Sequence, residues 1–203
     1  MQKINGLDGF KPVGRNKRKK QIILTHTSRE LSEYISSLKY RYNGEYKKLP
    51  HYVIGRDGEI YNIVPPNTYT EYFNNDVYMN KYSIIVSLEN LGWLRKNPLS
   101  NGFVNWIGNR HNNEVFEKKW RGYVFWQPYT DEQMDSLGEL VSQLCEEYKI
   151  PKRSIGHNVT IPMVDKFNGI TTKSNYFKES TDLNPAFDFD IFIKKIGDGK
   201  SIR

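Results

Sequence analysis

Two short, uninterrupted apolar runs constrain this chain more than anything else in it. Gln21-Ile22-Ile23-Leu24-Thr25-His26 and Tyr82-Ser-Ile-Ile-Val-Ser-Leu88 are aliphatic, rich in β-branched residues and bounded by polar segments. That is the pattern of buried strands, and neither run approaches the roughly eighteen apolar residues of a membrane span. Between them, Ser28 stands where a helix N-cap belongs, ahead of Leu31, Tyr34, Ile35 and Leu38 at helical spacing. His51-Tyr-Val-Ile54 and Ile60-Tyr-Asn-Ile-Val64 flank Arg56-Asp-Gly58 and predict a β-hairpin, which Pro65-Pro66 ends. Thr130-Asp-Glu-Gln133 is a capping box, and Met134, Leu137, Leu140, Val141, Leu144 and Tyr148 form the apolar stripe of the helix it opens. Cys145 lies beside that stripe as a buried thiol, Pro151 closes the unit, and a short last helix is predicted around Phe187 to Ile196. Alternating helices and strands with one antiparallel hairpin predict an α/β fold, a single domain with a central mixed β-sheet flanked by α-helices.

Composition narrows the function classes. The 203 residues suit one domain, and 14 Tyr, 10 Phe and 4 Trp supply a real core, which excludes wholesale disorder. The amino terminus lacks the apolar segment of a secretory signal, so synthesis in the cytoplasm is expected. One cysteine excludes a disulfide framework within the chain and any multi-cysteine zinc site. The net charge of +7 favours polyanionic partners: nucleic acid, anionic lipid or an anionic cell wall. Part of that excess is Arg15-Asn-Lys-Arg-Lys-Lys20, read as a solvated segment leading into the next strand, because no nucleic-acid-binding motif accompanies it. The layout expected is a basic segment 1–20, a body 21–197 and a tail 198–203. Residues 92–121 interleave Trp93, Phe103, Trp106 and Trp120 with Gly, Asn, Lys and Arg, and predict a long irregular insertion. Its aromatics suit stacking on a sugar or a base, and equally suit anchoring the loop to the body.

There are four histidines, His26, His51, His111 and His157. His26 ends a buried strand and His157 follows a helix and a turn, so one edge of a sheet can bring them together. Neutral imidazole is the commonest nitrogen ligand of zinc, a carboxylate can complete a three-ligand set, and a fourth position left to water makes such a site catalytic. By spacing alone, ordinary structural histidines are favoured over a metal site.

The ordered segments ILTHTS, HYVIGRDGEIYNIV, SIIVSLEN, YTDEQMDSLGELVSQLCEEYKIPKRSIGHN and TDLNPAFDF resemble the zinc-dependent N-acetylmuramoyl-L-alanine amidase family, the type-2 amidases that include phage lysozyme-type amidases and peptidoglycan recognition proteins. The resemblance spans about residues 21 to 195 and makes 21–197 an amidase-like catalytic domain. It implies one zinc per chain, held by His26, His157 and Asp182, with Asp182 preferred to Asp165 because Pro185 and Phe187 follow it in register. It further implies hydrolysis, by zinc-activated water, of the amide between N-acetylmuramic acid and L-alanine. The family's strand carboxylate aligns with Ser87, which leaves Glu89, two positions on, as the candidate base. Ser180 stands where many members carry a lysine and is the candidate for supporting the oxyanion. His51, Trp93 and Trp106 are the candidate substrate-binding residues. The role implied is that of a phage endolysin, monomeric, made in an infected bacterium and acting on peptidoglycan after release, with no nucleic acid partner and no transmembrane segment. A non-catalytic peptidoglycan-binding module and a cytosolic recycling amidase are the alternatives.

Overall fold

The computed structural model describes residues 4–73, 76–156, 161–197 and 200–201. In chain order its strands are β1 (Ile4–Gly6), β2 (Gly14–Arg15), β3 (Gln21–His26), β4 (Tyr52–Ile54), β5 (Ile60–Asn62), β6 (Thr68–Tyr69), β7 (Ser83–Leu88) and β8 (Trp93–Lys96). They continue as β9 (Phe103–Val104), β10 (Arg110–His111), β11 (Phe116–Trp120), β12 (Tyr123–Trp126), β13 (Arg153–Ser154), β14 (Gly169–Thr172) and β15 (Lys200–Ser201). The α-helices are α1 (Leu31–Tyr40), α2 (Val77–Tyr82), α3 (Asp131–Tyr148), α4 (Lys173–Tyr176) and α5 (Phe189–Lys195).

The main sheet has eight strands in the order β1-β5-β4-β7-β3-β14-β13-β15. The two predicted runs are its centre: β3 pairs in parallel with β7 on one side and β14 on the other. The β4–β5 hairpin is antiparallel, as Asp57-Gly58 predicts, and β4 runs parallel to β7. Strand alternation sends Ile22, Leu24, Ile84, Val86 and Leu88 to one face, against Leu137, Leu140, Val141 and Leu144 of α3 and Phe192 of α5. Ile23 and Ile85 point to the other face, against Phe73 and Met79. Such double burial is why these strands read as continuous apolar runs. Thr130 caps α3 as predicted: its side chain accepts from the Gln133 N–H, and the Gln133 side chain returns to the Thr130 N–H.

Four expectations are corrected. Residues 93–126 are an ordered antiparallel sheet, β10-β9-β8-β12-β11, not an irregular excursion. Its aromatics pin it internally: Trp93 stacks on Tyr123 at 4.4 Å and 13°, and the fully buried Trp126 donates its indole N–H to Lys118 O. The amino-terminal segment is not a free leader. β1 joins the main sheet beside β5, β2 pairs with β6, and Lys19 is buried with its ammonium donating to the carbonyls of Thr68, Lys81 and Ser83. At the other end, β15 lies parallel to β13, so residues 200–201 also belong to the sheet. Finally, Ser28 has φ +55° and does not cap α1, which begins three residues later.

Candidate metal centre

β3 delivers His26 to the end of the central strand, and the loop after α4 returns Asp182 to the same place. The two side chains are buried, with His26 Nε2 and Asp182 Oδ1 3.5 Å apart. The His26 backbone N–H also faces Asp182 Oδ2 at 3.5 Å. Lys173, the first residue of α4, places Nζ 3.7 Å from Asp182 Oδ2. The Asp182 loop is held tightly. Asp182 N donates to Ser180 Oγ at 3.3 Å, Asp182 O accepts from Ser174 N at 2.8 Å, and the neighbouring Asn184 donates to Asn90 Oδ1 at 2.9 Å. Gly92 makes this corner possible, since with φ +76° a Cβ there would lie 2.9 Å from His26 Nε2.

Burial and the Lys173 charge push the His26 imidazole below its usual range, so it stands neutral. Burial alone would raise Asp182, but His26, Lys173 and the hydrogen bonds from His26 N and Ser180 outweigh it and keep the carboxylate ionised. A neutral imidazole and an ionised carboxylate are the protonation states a divalent metal requires. The spacing fits as well. At 3.5 Å the pair is too long for a strong hydrogen bond, and two donors about 2.0–2.2 Å from one tetrahedral ion lie about 3.3 Å apart. His26 Nδ1 is buried with no hydrogen-bond partner in the described structure, another mark of a ring not yet committed. His157, the remaining predicted ligand, lies outside the described residues; Gly156 before it accepts from Asn175 of α4 at 2.8 Å. Among the described residues, no group of three metal-ligating side chains is assembled.

His26 and Asp182 open into a cavity of about 470 Å³, whose wall includes Tyr34, Tyr72, Trp106 and Lys173. Below it, where the resemblance places a carboxylate, Ser87 instead joins a chain of hydroxyls. Thr25 Oγ1 donates to Ser87 Oγ at 3.2 Å and shares a 3.1 Å hydrogen bond with the Tyr72 hydroxyl, while Tyr34 bonds Ser87. Burial pushes both tyrosine hydroxyls up, so each stays a neutral donor.

Glu89 is not in the cavity wall. Its two oxygens accept from the backbone N–H groups of Leu31 and Arg56, each at 2.9 Å, so it caps α1 and pins the hairpin loop. The reading that Glu89 faces the metal is thereby corrected: β7 ends at Leu88, so strand alternation does not carry one residue further. Ser180 supports the Asp182 loop rather than lining the cavity. His51 is 1% exposed and serves as a strut: Nδ1 accepts from Ile85 N at 3.0 Å, and Nε2 lies 3.1 Å from Thr68 O. Of the three candidate substrate-binding residues, only Trp106 reaches the cavity; Trp93 is stacked within the second sheet. Asp165, on the turn Val164–Lys166, is absent from the cavity wall that includes Asp182. Sequence reasoning missed Lys173, Tyr34 and Tyr72, which no local motif marks and which only the fold gathers.

The profile of the N-acetylmuramoyl-L-alanine amidase family (Amidase_2) matches residues 15–173. The chain belongs to that family. It is therefore an amidase of the peptidoglycan-cleaving class, and the match includes His26 and ends at Lys173, before Asp182. Solved members of the class share the fold at low identity. The N-acetylmuramoyl-L-alanine amidase LysC from Clostridium intestinale is 15% identical, with TM-score 0.58 over 97% of this chain and 98% of that one. Staphylococcus aureus hydrolase AmiA is 13% identical, with TM-score 0.56 over 96% and 81%. The Ph2119 endolysin of a Thermus scotoductus bacteriophage is 14% identical, with TM-score 0.54 over 96% and 99%. A comparison of the sequence with curated proteins gives no significant match. Among the described residues no helix is long and apolar enough to cross a membrane.

Proposed function

We propose that this amidase cleaves the bond between the lactyl carbonyl of N-acetylmuramic acid and L-alanine, using one zinc ion held by His26, His157 and Asp182. The observation that carries the reading is the buried neutral imidazole 3.5 Å from an ionised carboxylate at the floor of the cavity, in a chain of this family. Bound there, zinc would supply a Lewis acid and a water whose pKa falls to about 7. Asp182 is kept ionised and oriented by Lys173, Ser180 and Ser174. Lys173 also brings positive charge to the cavity, where it can offset charge growing on the amide oxygen. Tyr72, a neutral hydroxyl in the same wall, gives its proton to Thr25 Oγ1 and so shapes the cavity rather than serving as a free donor. Glu89 acts at a distance, by fixing the start of α1 and with it the wall that carries Tyr34. Trp106, half exposed with the Arg29 guanidinium 5.6 Å from its ring, offers a stacking surface for a sugar ring or a peptide plane.

We assign the chain a lytic role, as an endolysin acting on the wall of a bacterium. The fold shared with the Ph2119 endolysin and the net charge of +7, suited to an anionic envelope, support this role. Digestion of purified peptidoglycan tests the activity. New L-alanine amino groups are expected; new reducing sugar ends would mean a glycosidase, and binding without release would mean a non-catalytic module.

A further inference from the structure

The cavity wall sorts charge in a way that the amide bond alone does not explain. Arg29, Arg41, Lys48 and Lys173 line it, and among the described residues Asp182 is the one acid with them. Lys173 is committed to Asp182. The other three have no carboxylate within 4.0 Å among the described residues. Acidic side chains are available on the same elements but turn elsewhere: Glu33 accepts from Asn109, and Glu30 and Glu45 line other hollows. Two of the cations are seated on aromatic rings, Arg41 at 4.7 Å from the Tyr46 centroid and Arg29 at 5.6 Å from that of Trp106. A guanidinium laid on a ring keeps its N–H edge free for an anion, and its fork matches carboxylate and phosphate alike. Unpaired cations gathered in a concave wall call for an anionic ligand.

Resting on the substrate assigned above, we propose that Arg41 and Lys48, with Arg29, select a stem peptide that carries a free carboxylate close to the scissile amide. The cleft thus discriminates a stem whose second residue is D-glutamate from one in which that residue is amidated to D-isoglutamine. The cations lie inside the cavity that holds His26 and Asp182, which favours a carboxylate of the substrate's own peptide over an anionic polymer elsewhere on the wall.

The test pairs two soluble muropeptides that differ only in that carboxylate or amide, measuring both binding by calorimetry and release of the peptide. The full chain should bind and cleave the carboxylate form about tenfold better, and the preference should shrink as salt is added. Arg41→Gln/Lys48→Gln, with thermal melting to confirm that it folds, should bring the ratio close to one, through KM rather than kcat. Equal binding of the two muropeptides, or a preference that survives the double substitution, overturns the inference. Discriminating binding without any cleavage supports it while refuting the assigned reaction, so the two failures are separable.

Discussion

Two carboxylates sit just beyond the central strands, and they have opposite fates. Asp182 meets an imidazole ring and an ammonium group, and among the described residues its carboxylate has one backbone donor, His26 N, at a long 3.5 Å. Glu89, directly after β7, has both oxygens taken by backbone N–H groups at 2.9 Å. A carboxylate with each oxygen held by a backbone amide is fixed in place as a structural cap. One facing a neutral imidazole at 3.5 Å is arranged for a shared third party. The lesson is that neighbouring acids are told apart by what already occupies their oxygens, not by closeness in sequence to a strand motif.

The most severe way to break this contrast is to remove the acid that faces the imidazole. Asp182→Ala should lower peptidoglycan cleavage by more than about a hundredfold, as loss of a metal ligand does, whereas Asp165→Ala should stay near wild type. Dye release from labelled cell walls measures both. Equal losses in the two variants would show that the carboxy-terminal segment is misread. Gly92→Ala probes the same corner without touching a ligand: the added Cβ meets His26 Nε2 in a left-handed backbone conformation. It should cost about 1–3 kcal/mol in chemical denaturation and depress activity, because strain and ring displacement coincide there.

The acid held by two amides should behave otherwise. Glu89→Gln keeps an acceptor for one amide but turns its NH₂ group towards the other. Stability should fall by about 1–3 kcal/mol, while turnover of the folded variant stays within about threefold of wild type. A hundredfold loss of turnover with stability unchanged would return Glu89 to the reaction.

How much of this was legible in the sequence follows from the same physics. The central strands, the hairpin and α3 are short-range patterns, and Ile22–Leu24, Asp57-Gly58 and Thr130–Gln133 announce them. The second sheet is built partly from two-residue strands such as Phe103–Val104 and Arg110–His111, too short to show an alternation. Family resemblance singled out His26 and Asp182, and the fold brings both to one cavity, but Lys173 reaches Asp182 only through the parallel placement of β14 beside β3. The cap of α1 comes from Glu89, a long-range partner that no rule about the residues just before a helix detects.

His51 supplies the smallest effect. Burial, aided by the Lys19 charge, pushes its imidazole down to about 3 from the usual 6.5. Between those values the unfolded chain binds a proton that the folded one refuses, so stability is complete above pH 6.5 and is lost as pH falls towards 3. This one group adds at most about 1.4 kcal/mol per pH unit to the acid slope. His51→Gln should flatten the slope of unfolding free energy between pH 6 and 4 by up to that amount. An unchanged slope would mean that the ring is not the neutral strut described.

The proposal that zinc sits at the His26–Asp182 corner and not at the Glu89 corner makes metal content decisive. Elemental analysis of the purified chain tests it directly, on wild type, Asp182→Ala and Glu89→Gln after dialysis against trace zinc. About one zinc per chain is expected in wild type and Glu89→Gln, and close to none in Asp182→Ala. Full zinc in Asp182→Ala, or its loss in Glu89→Gln alone, would contradict the proposal.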